Sequence, residues 1–521
     1  MPNFIPTEYK QNILLSVNFE DQIQPGTFEY AIHYLVENKF DLKGFEQEYK
    51  NEFGGRIAYP PSVLLKIILF AYSKGITSSR EIEWCCKYNI IFKALACDLE
   101  PHFTTFADFV SRQPEKMEAV FEQVLLVCHE QNLLGNELFA IDGCKMRSDA
   151  SKTWSGTVKE LEAKRDKIKR LIKHHMNAHR AADKREGDAA EQRQRHEKAI
   201  ATLDRHHDKI DHFLKNNEPR IGKGKRPKEV KSNITDNESA KMTTSKGTIQ
   251  GYNGVASVDA YCQVIIDAQA FGEGQEHHVL QPILETIKKR NNKLGISKDL
   301  YKEGALVTAD TGYANEENMQ YIKENGIEGY IPDNQFRSRD PKFQAQKEKY
   351  GKRHHDKPKT NHKYFTADQF KVNLKKKTCT CPAEQPMWLK NESKDKYGNH
   401  KLFFEGPMRK CRQCPMKKQC MRKPESADTR DGHGRQVSFI TKKGKSNTPY
   451  TDWMKERIDS DYGKTIYAHR MSIVEPVFAN IGTNKRLDRF SLRSKAKVQG
   501  QWQLYCTVHN IEKLINYGEL H

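Results

Sequence analysis

The sequence predicts an α/β protein: a mixed sheet, preceded by an all-α segment and interrupted by a basic helical hairpin and a Cys-rich segment. Three observations carry this. Apolar residues recur at helical spacing through the first 135 residues. Short apolar, partly β-branched runs alternate with helical ones over 136–156 and 233–334, the pattern of a mixed sheet. Two long stretches interrupt them: 157–232, basic and helical in its spacing, and 335–440, which opens on a basic arm and carries a Cys cluster. The expected organisation is therefore a helical region at 1–135, a first part of the sheet domain at 136–156, a hairpin insertion at 157–232, and a second sheet part at 233–334. A basic arm with a Cys-rich insertion follows at 335–440, and the last part of the sheet domain at 441–521.

In the first region "PPSVLLKIILFAYSKG", "SSREIEWCCKYNIIFKALA" and "PEKMEAVFEQVLLVCHEQN" read as helices. Pro60 and Pro61 suit a first helical turn, and Ser78 or Ser79 suits a cap. "DLEPHFTTFADFVSR" gives a break and a further helix, as the helix-turn-helix of an N-terminal DNA-binding domain needs, although short helices joined by turns are far more often plain helical packing. In the hairpin, Val158, Leu161, Ile168, Leu171 and Ile172, then Ile200, Leu203, Ile210 and Phe213, recur at three, four or seven, with Gly187 between the sets. That spacing predicts two packed helices. Residues 159–231 hold 22 Lys and Arg against 13 Asp and Glu, an excess that favours a phosphate backbone nearby.

The sheet region opens with "ELFAIDGCKMRSDAS", where Asp142 follows the apolar run Leu138–Ile141 and precedes a glycine. "IQGYNGVASVDA" and "CQVIIDAQAFG" predict a β-hairpin turning at Tyr261, and "HHVLQPILETIKKRNN" a helix. "GALVTADTGYANEENMQYIKENG" then predicts a strand at 305–309, Asp310 at its end and another helix, with "IEGYIPD" as a last strand. Asp142 and Asp310 thus share one context, an acid at the end of a short strand, where open α/β sheets place their chemistry. Two neighbouring carboxylates stay ionised cheaply only around a cation, and hard oxygen ligands favour Mg2+ or Mn2+. Two such ions drive in-line attack at phosphodiesters. A third acid is offered by "TIYAHRMSIVEPVFANIGTNKRLDRFSLR": Tyr467, Met471 and Glu475 share a helical face, and a helix on the sheet could bring Glu475 towards both Asp. Arg470, Lys485, Arg486, Arg489 and Arg493 are candidate phosphate contacts, with Tyr467 beside them. Glu276 is a candidate accessory acid.

The overall balance agrees with a polyanionic partner. The chain of 521 residues carries 87 Lys and Arg against 68 Asp and Glu, a formal charge of +19, with mean hydropathy −0.83. No apolar run approaches the ~20 residues of a spanning helix. "MPNFIPTEYKQ" lacks a basic-then-apolar start, so a cytoplasmic, nucleoid-associated protein is expected, its twelve Cys being thiols or metal ligands.

Taken in order, "FAIDGCKMRS", "GYNGVASVD", "VTADTGYANEEN", "RMSIVEPVFANI" and "LRSKAKVQGQWQLYCTVHNIEKL" resemble the DDE transposases of bacterial insertion sequences, in the branch with a helical N-terminal domain and a Tyr-Arg-Glu signature. The resemblance covers most of the chain. It implies an RNase H-like catalytic domain with Asp142, Asp310 and Glu475 as the triad holding two Mg2+ or Mn2+ ions. It also implies metal-dependent cleavage and strand transfer on double-stranded DNA, at the element's terminal inverted repeats and the target, and a homodimer in the synaptic complex. Two departures stand out. Four residues separate Arg470 from Glu475 where the family pattern has three, and Gly482 stands where the pattern has Lys, leaving Lys485 as a candidate substitute. A nuclease of the same fold that cuts without joining, or a DNA-binding protein with a decayed site, are the alternatives.

In the Cys-rich segment, Cys379 and Cys381 in "CTCP", and Cys411, Cys414 and Cys420 in "CRQCPMKKQC", offer five thiols for the four positions of one tetrahedral structural Zn2+. Clustered free thiols are the alternative. "RSRDPKFQAQKEKYGKRHHDKPKTNHKYF", basic and poor in apolar residues, is expected to be a flexible arm.

Overall fold

The computed structural model describes residues 16–49, 51, 54, 57–183, 189–222, 227–245, 247–343, 364–394, 399–429, 431–442 and 448–520. The start "MPNFIPTEYKQ", the hairpin turn with Gly187 and most of the expected basic arm lie outside them. The chain forms two compact units, Met1–Ile331 with Asp461–His521, and Pro332–Ser460. Among the described residues no helix is long and apolar enough to cross a membrane.

The first unit is built on a mixed sheet of β1 (Leu138–Arg147), β2 (Ala240–Thr244), β3 (Gly247–Asp259), β4 (Ile265–Phe271), β5 (Leu306–Ala309) and β6 (Glu328–Tyr330). Its order is β2-β3-β1-β5-β6, with β4 also paired to β3. β1 lies antiparallel to β3 and parallel to β5, and β5 parallel to β6. Val, Ile and Ala fill β1, β3 and β5 because helices cover the sheet. Gly251 is required where β3 meets β1, since a Cβ there would stand 1.9 Å from the Met146 carbonyl oxygen. β1 does not end at Ile141 as expected. Only its parallel partner ends there, at Ala309, while the antiparallel ladder to β3 runs on to Arg147↔Gly251. Asp142 therefore sits inside a ten-residue strand, one step past the last rung of the parallel pair.

The N-terminal helices form at the expected places, among them Pro61–Ser73, Ser79–Tyr88, Phe103–Arg112 and Pro114–Glu130. Pro61 opens the first of these, and its residues Val63–Tyr72 are all buried, so it is a central core helix. Expected as a region of their own over 1–135, these helices instead share one compact unit with the sheet. The link is the C-terminal helix Lys495–Tyr517, which packs on Pro114–Glu130, on Pro61–Ser73 and on β4. Tyr505 stacks on Tyr72 with ring centroids 4.5 Å apart, and the Trp502 indole donates to the Val255 carbonyl at 2.9 Å. The same helix closes the edge of β4. Gln499 accepts from Ala270 N at 2.6 Å and donates to Ala268 O at 2.7 Å, and Asn510 does the same for Ile265 at 2.8 and 2.8 Å. Two side-chain amides thus satisfy edge groups that would otherwise invite a foreign strand.

The inserted hairpin is Val158–Asp183 and Ala189–Asn216. Leu161, Ile168, Ile210 and Phe213 bury its seam together with Ile234. In the second unit, 335–440 is expected to be an arm and a Cys-rich insertion, but its described part is an antiparallel meander. Strands β7 (Lys371–Asn373), β8 (Thr378–Thr380), β9 (Pro386–Lys394), β10 (His400–Glu405) and β11 (Gln436–Lys442) pair in sequence order. The unit also runs past 440, through the helix Pro449–Asp459, where Arg339 pairs with Asp459 at 2.6 Å.

His509, fully buried on the C-terminal helix, donates from Nε2 to the Gln263 carbonyl at 3.0 Å while its Nδ1 takes an N–H from Asn480 at 3.1 Å. Both contacts suit the neutral ring, and burial pushes its pKa down to about 3. An unfolded chain takes up that proton near pH ~6.5 and the folded one refuses it. Stability is therefore complete above about pH 6.5 and falls on acidification, by up to ~1.4 kcal/mol per pH unit from this group. Urea unfolding at about pH 7 and about pH 5 should show His509→Gln losing less stability on acidification than the parent; equal losses would contradict this role.

Candidate active site

The register Ile141↔Ala309 between two parallel strands brings the next residues, Asp142 and Asp310, side by side. The Gly143 amide donates to Asp142 Oδ1 at 2.8 Å. The Arg470 guanidinium lies against both acids, Nη1 at 3.0 Å from Asp142 Oδ2 and Nη2 at 3.3 Å from Asp310 Oδ1. Burial pushes the Asp142 carboxyl up, with the charges of Asp310 and Glu475 adding and Arg470 opposing.

Arg470 reaches the acids from the helix Asp461–Ala479, whose buried stripe is Gly463, Arg470, Ile473, Val474 and Val477. Glu475 lies beside this stripe and is exposed, within electrostatic reach of Asp142. The face expected to meet the sheet, Tyr467, Met471 and Glu475, is thus only its margin: Met471 is 52% exposed and Tyr467 half-buried. Pro476 sits inside this helix and has no N–H for the Ser472 carbonyl. Gln263, at the β3–β4 turn, donates to that carbonyl instead at 2.9 Å. This keeps the helix intact through the turn that carries Glu475.

A fourth acid joins the group. Glu276 faces the segment after Asp310 so closely that a Cβ on Gly312 would stand 2.0 Å from its Oε2. Its turn is pinned by Asn315 and Asn318, whose amides both donate to the His277 carbonyl at 2.9 Å. Burial pushes its carboxyl up, and Asp142 and Asp310 push it further against the pull of Lys145. Two buried oxygens here lack hydrogen-bond partners, Asn253 Oδ1 and the hydroxyl of Tyr313. Tyr313 feels the charges of Glu276, Asp142 and Asp310, and nothing in the sequence around it signals this.

A group of carboxylates and neutral oxygens has the hard-donor chemistry that Mg2+ or Mn2+ requires. Among the described residues no three His, Cys, Asp or Glu side chains are already gathered as a metal cage, and Arg470 supplies the positive charge between the two Asp.

The expected phosphate contacts divide. Arg486, Arg489 and Arg493 are exposed. Arg489 and Arg493 both pair with Asp149, and with Arg147, Lys152 and Lys209 they line a groove of about 670 Å3. One expectation is corrected. Lys485 is fully buried with its ammonium on Glu512 at 2.6 Å, so it faces no phosphate and stands in for no active-site Lys. Arg470 is buried against the two Asp rather than beside the exposed arginines.

In the second unit, four of the five candidate thiols, Cys381, Cys411, Cys414 and Cys420, line one cavity. Cys379 instead points into the core beside Met387, its sulfur 3.8 Å from the thioether.

Two segments match known families. Residues 380–515 match a family described as Transposase DDE domain, and residues 17–112 match Transposase domain (DUF772). The first match takes in the last three strands of the meander, Cys381, Cys411, Cys414 and Cys420, the Glu475 helix and most of the C-terminal helix; the second takes in the N-terminal helices up to Arg112. No curated protein and no solved structure matches. The two matches support a DDE-type transposase, an enzyme that cuts DNA.

If Arg470 is the charge that holds Asp142 and Asp310 together, Arg470→Gln should cost about 1–3 kcal/mol in urea unfolding, because two partly exposed carboxylates lose their partner. Adding Asp142→Asn should recover part of that loss. An additive double mutant would argue against the bridge.

Proposed function

We propose that the chain is an insertion-sequence transposase, cutting and joining double-stranded DNA through Asp142, Asp310 and Glu475. The observation that carries this is the placing of Asp142 and Asp310 side by side, each the residue after the last rung Ile141↔Ala309 of a parallel strand pair, with Glu475 on a helix within electrostatic reach of Asp142. The strand order, with β3 and β4 antiparallel and β5 and β6 parallel on either side of β1, supports an RNase H-like fold. Asp142, Asp310 and Glu475 are the residues that would hold two Mg2+ or Mn2+ ions, with Glu276 as an accessory acid. Bound there, the ions would activate the attacking oxygen and stabilise the leaving one.

The chain's own residues do the rest. Gly143 N–H fixes the Asp142 carboxylate, and Gln263 keeps the Glu475 helix continuous across Pro476. Arg470 neutralises the two Asp in the absence of metal. The groove lined by Arg147, Lys152, Lys209, Arg489 and Arg493 opens at the far end of β1, about five residues and roughly 16 Å along the strand from Asp142. Duplex DNA lying there would meet basic side chains while its scissile phosphate approached the acids. Holding two element ends together calls for a homodimer, and the N-terminal helices, with Trp84 and Tyr88 exposed, are proposed as a further DNA contact.

Strand cleavage and joining on labelled element-end DNA with Mg2+ tests the reading. The parent should cut and join, and Asp142→Ala, Asp310→Ala and Glu475→Ala should each abolish both while DNA binding survives. Cutting without joining would favour a nuclease, and an active Glu475→Ala would remove Glu475 from the triad. For the groove, Arg489→Ala with Arg493→Ala should weaken binding to any duplex alike. The slope of log affinity against log salt should become shallower by about 0.9 for each phosphate that the variant no longer neutralises; an unchanged slope would place the DNA elsewhere.

A further inference from the structure

We propose that Cys381, Cys411, Cys414 and Cys420 bind one structural zinc ion that holds the second unit together, and that Cys379 takes no part. The spacing alone leaves five thiols for four places; the fold separates them. Cys379 lies within β8, buried among Phe370, Leu402 and Phe404 and against Met387. Cys381 lies past the end of β8, where the chain turns and the Cys381 amide bonds the Gln385 carbonyl at 3.0 Å. There its thiol reaches the cavity shared with Cys411, Cys414 and Cys420.

The cavity has the size and lining of an ion site. Its volume is about 30 Å3, room for one or two water-sized species, and its wall is made of the four Cys with Phe365, Met387 and other side chains. Two glycines keep the space around Cys411 open: a Cβ on Gly406 or Gly434 would stand 3.0 or 3.2 Å from its sulfur. The Arg435 backbone N–H donates to the Cys411 sulfur. Cys411 and Cys414 sit on one tight bend, the Cys414 amide bonding the Cys411 carbonyl at 3.3 Å, and the next turn carries Cys420. Lys410, Arg435 and Lys417, the last paired with Asp428 at 2.7 Å, line the cavity, and Arg435 Nε is buried without a partner. Such cations would offset the negative charge of a four-thiolate zinc complex.

The unit also needs what a metal would supply. Its main core is six buried side chains, Phe370, Cys379, Met387, Leu402, Phe404 and Val437, beneath a sheet of five strands, two of them only three residues long. Domains with cores this thin are commonly held by metals or disulfides. Zinc supplies folding free energy directly, releasing the thiol protons to solvent, with no oxidant required. Among the described residues the thiols are not yet gathered into a cage, so binding requires side-chain rotation about the bend to bring the four sulfurs to ~2.3 Å from the ion.

The experiment is metal analysis of the full chain, purified without added metal, beside single Cys→Ser variants. The parent and Cys379→Ser should each carry about one zinc per chain, and Cys381→Ser, Cys411→Ser, Cys414→Ser and Cys420→Ser should lose most of it. To guard against variants that fail to fold, the parent's zinc is replaced by Co2+. Strong visible absorption with a sulfur-to-cobalt charge-transfer band is expected from a tetrahedral four-thiolate site. A parent without zinc, a parent whose thiols all titrate as free without metal release, or a cobalt spectrum lacking the thiolate band would overturn the proposal. So would loss of the ion from Cys379→Ser with retention in any of the other four.

Discussion

Two carboxylates placed side by side by a parallel register have to be neutralised, and the rest of the first unit is arranged around that need. The pairing Ile141↔Ala309 leaves no choice about where Asp142 and Asp310 go, and neither can move without shifting a strand. Arg470 meets both acids in the structure. A guanidinium suits the position because its fork of donors can bond two separate carboxylates at once, which an ammonium on a flexible stem does less well. Arg470 is thus a resident counter-ion, and a divalent ion entering the site would compete with it.

The helix that carries Arg470 and Glu475 is itself placed by polar contacts converging on one turn. Gln263, with φ at 59°, gives its side-chain amide to Ser472 and its carbonyl to His509, and its side-chain oxygen accepts from Lys513. Asn480 and Lys485 then meet on Glu512. Lys485, a buried ammonium, is part of this lock between the Glu475 helix and the C-terminal helix. Its cost of desolvation is offset only because Glu512 is there.

Much of this is legible in the chain, for identifiable reasons. Asp142 and Asp310 can be read because each follows an apolar run and precedes a glycine or a Thr-Gly pair. The helices are legible because long apolar periodicities leave little ambiguity. What cannot be read depends on long-range meetings: Arg470 with Asp142 across 328 positions, Lys485 with Glu512, and Tyr313 with the acids. A charged residue in a basic stretch looks like a surface residue until its partner is known. The meander of the second unit escapes because strands such as Pro386–Lys394 alternate into Lys, Asn, Glu and Ser on an exposed face. The choice among the thiols depends on where β8 stops, a boundary that spacing does not reveal.

The order of the chain also has a consequence in time. The first two acids belong to a sheet whose strands are all present by Tyr330, yet the helix bearing Glu475 follows only after the whole second unit, Pro332–Ser460, has been made. The helix that covers the β4 edge and the N-terminal core comes later still. A ribosome-bound or prematurely terminated product ending before residue 475 would therefore hold Asp142 and Asp310 with an uncovered strand edge and exposed core. Such fragments would present apolar surface and an open strand edge, and would be ready substrates for proteases.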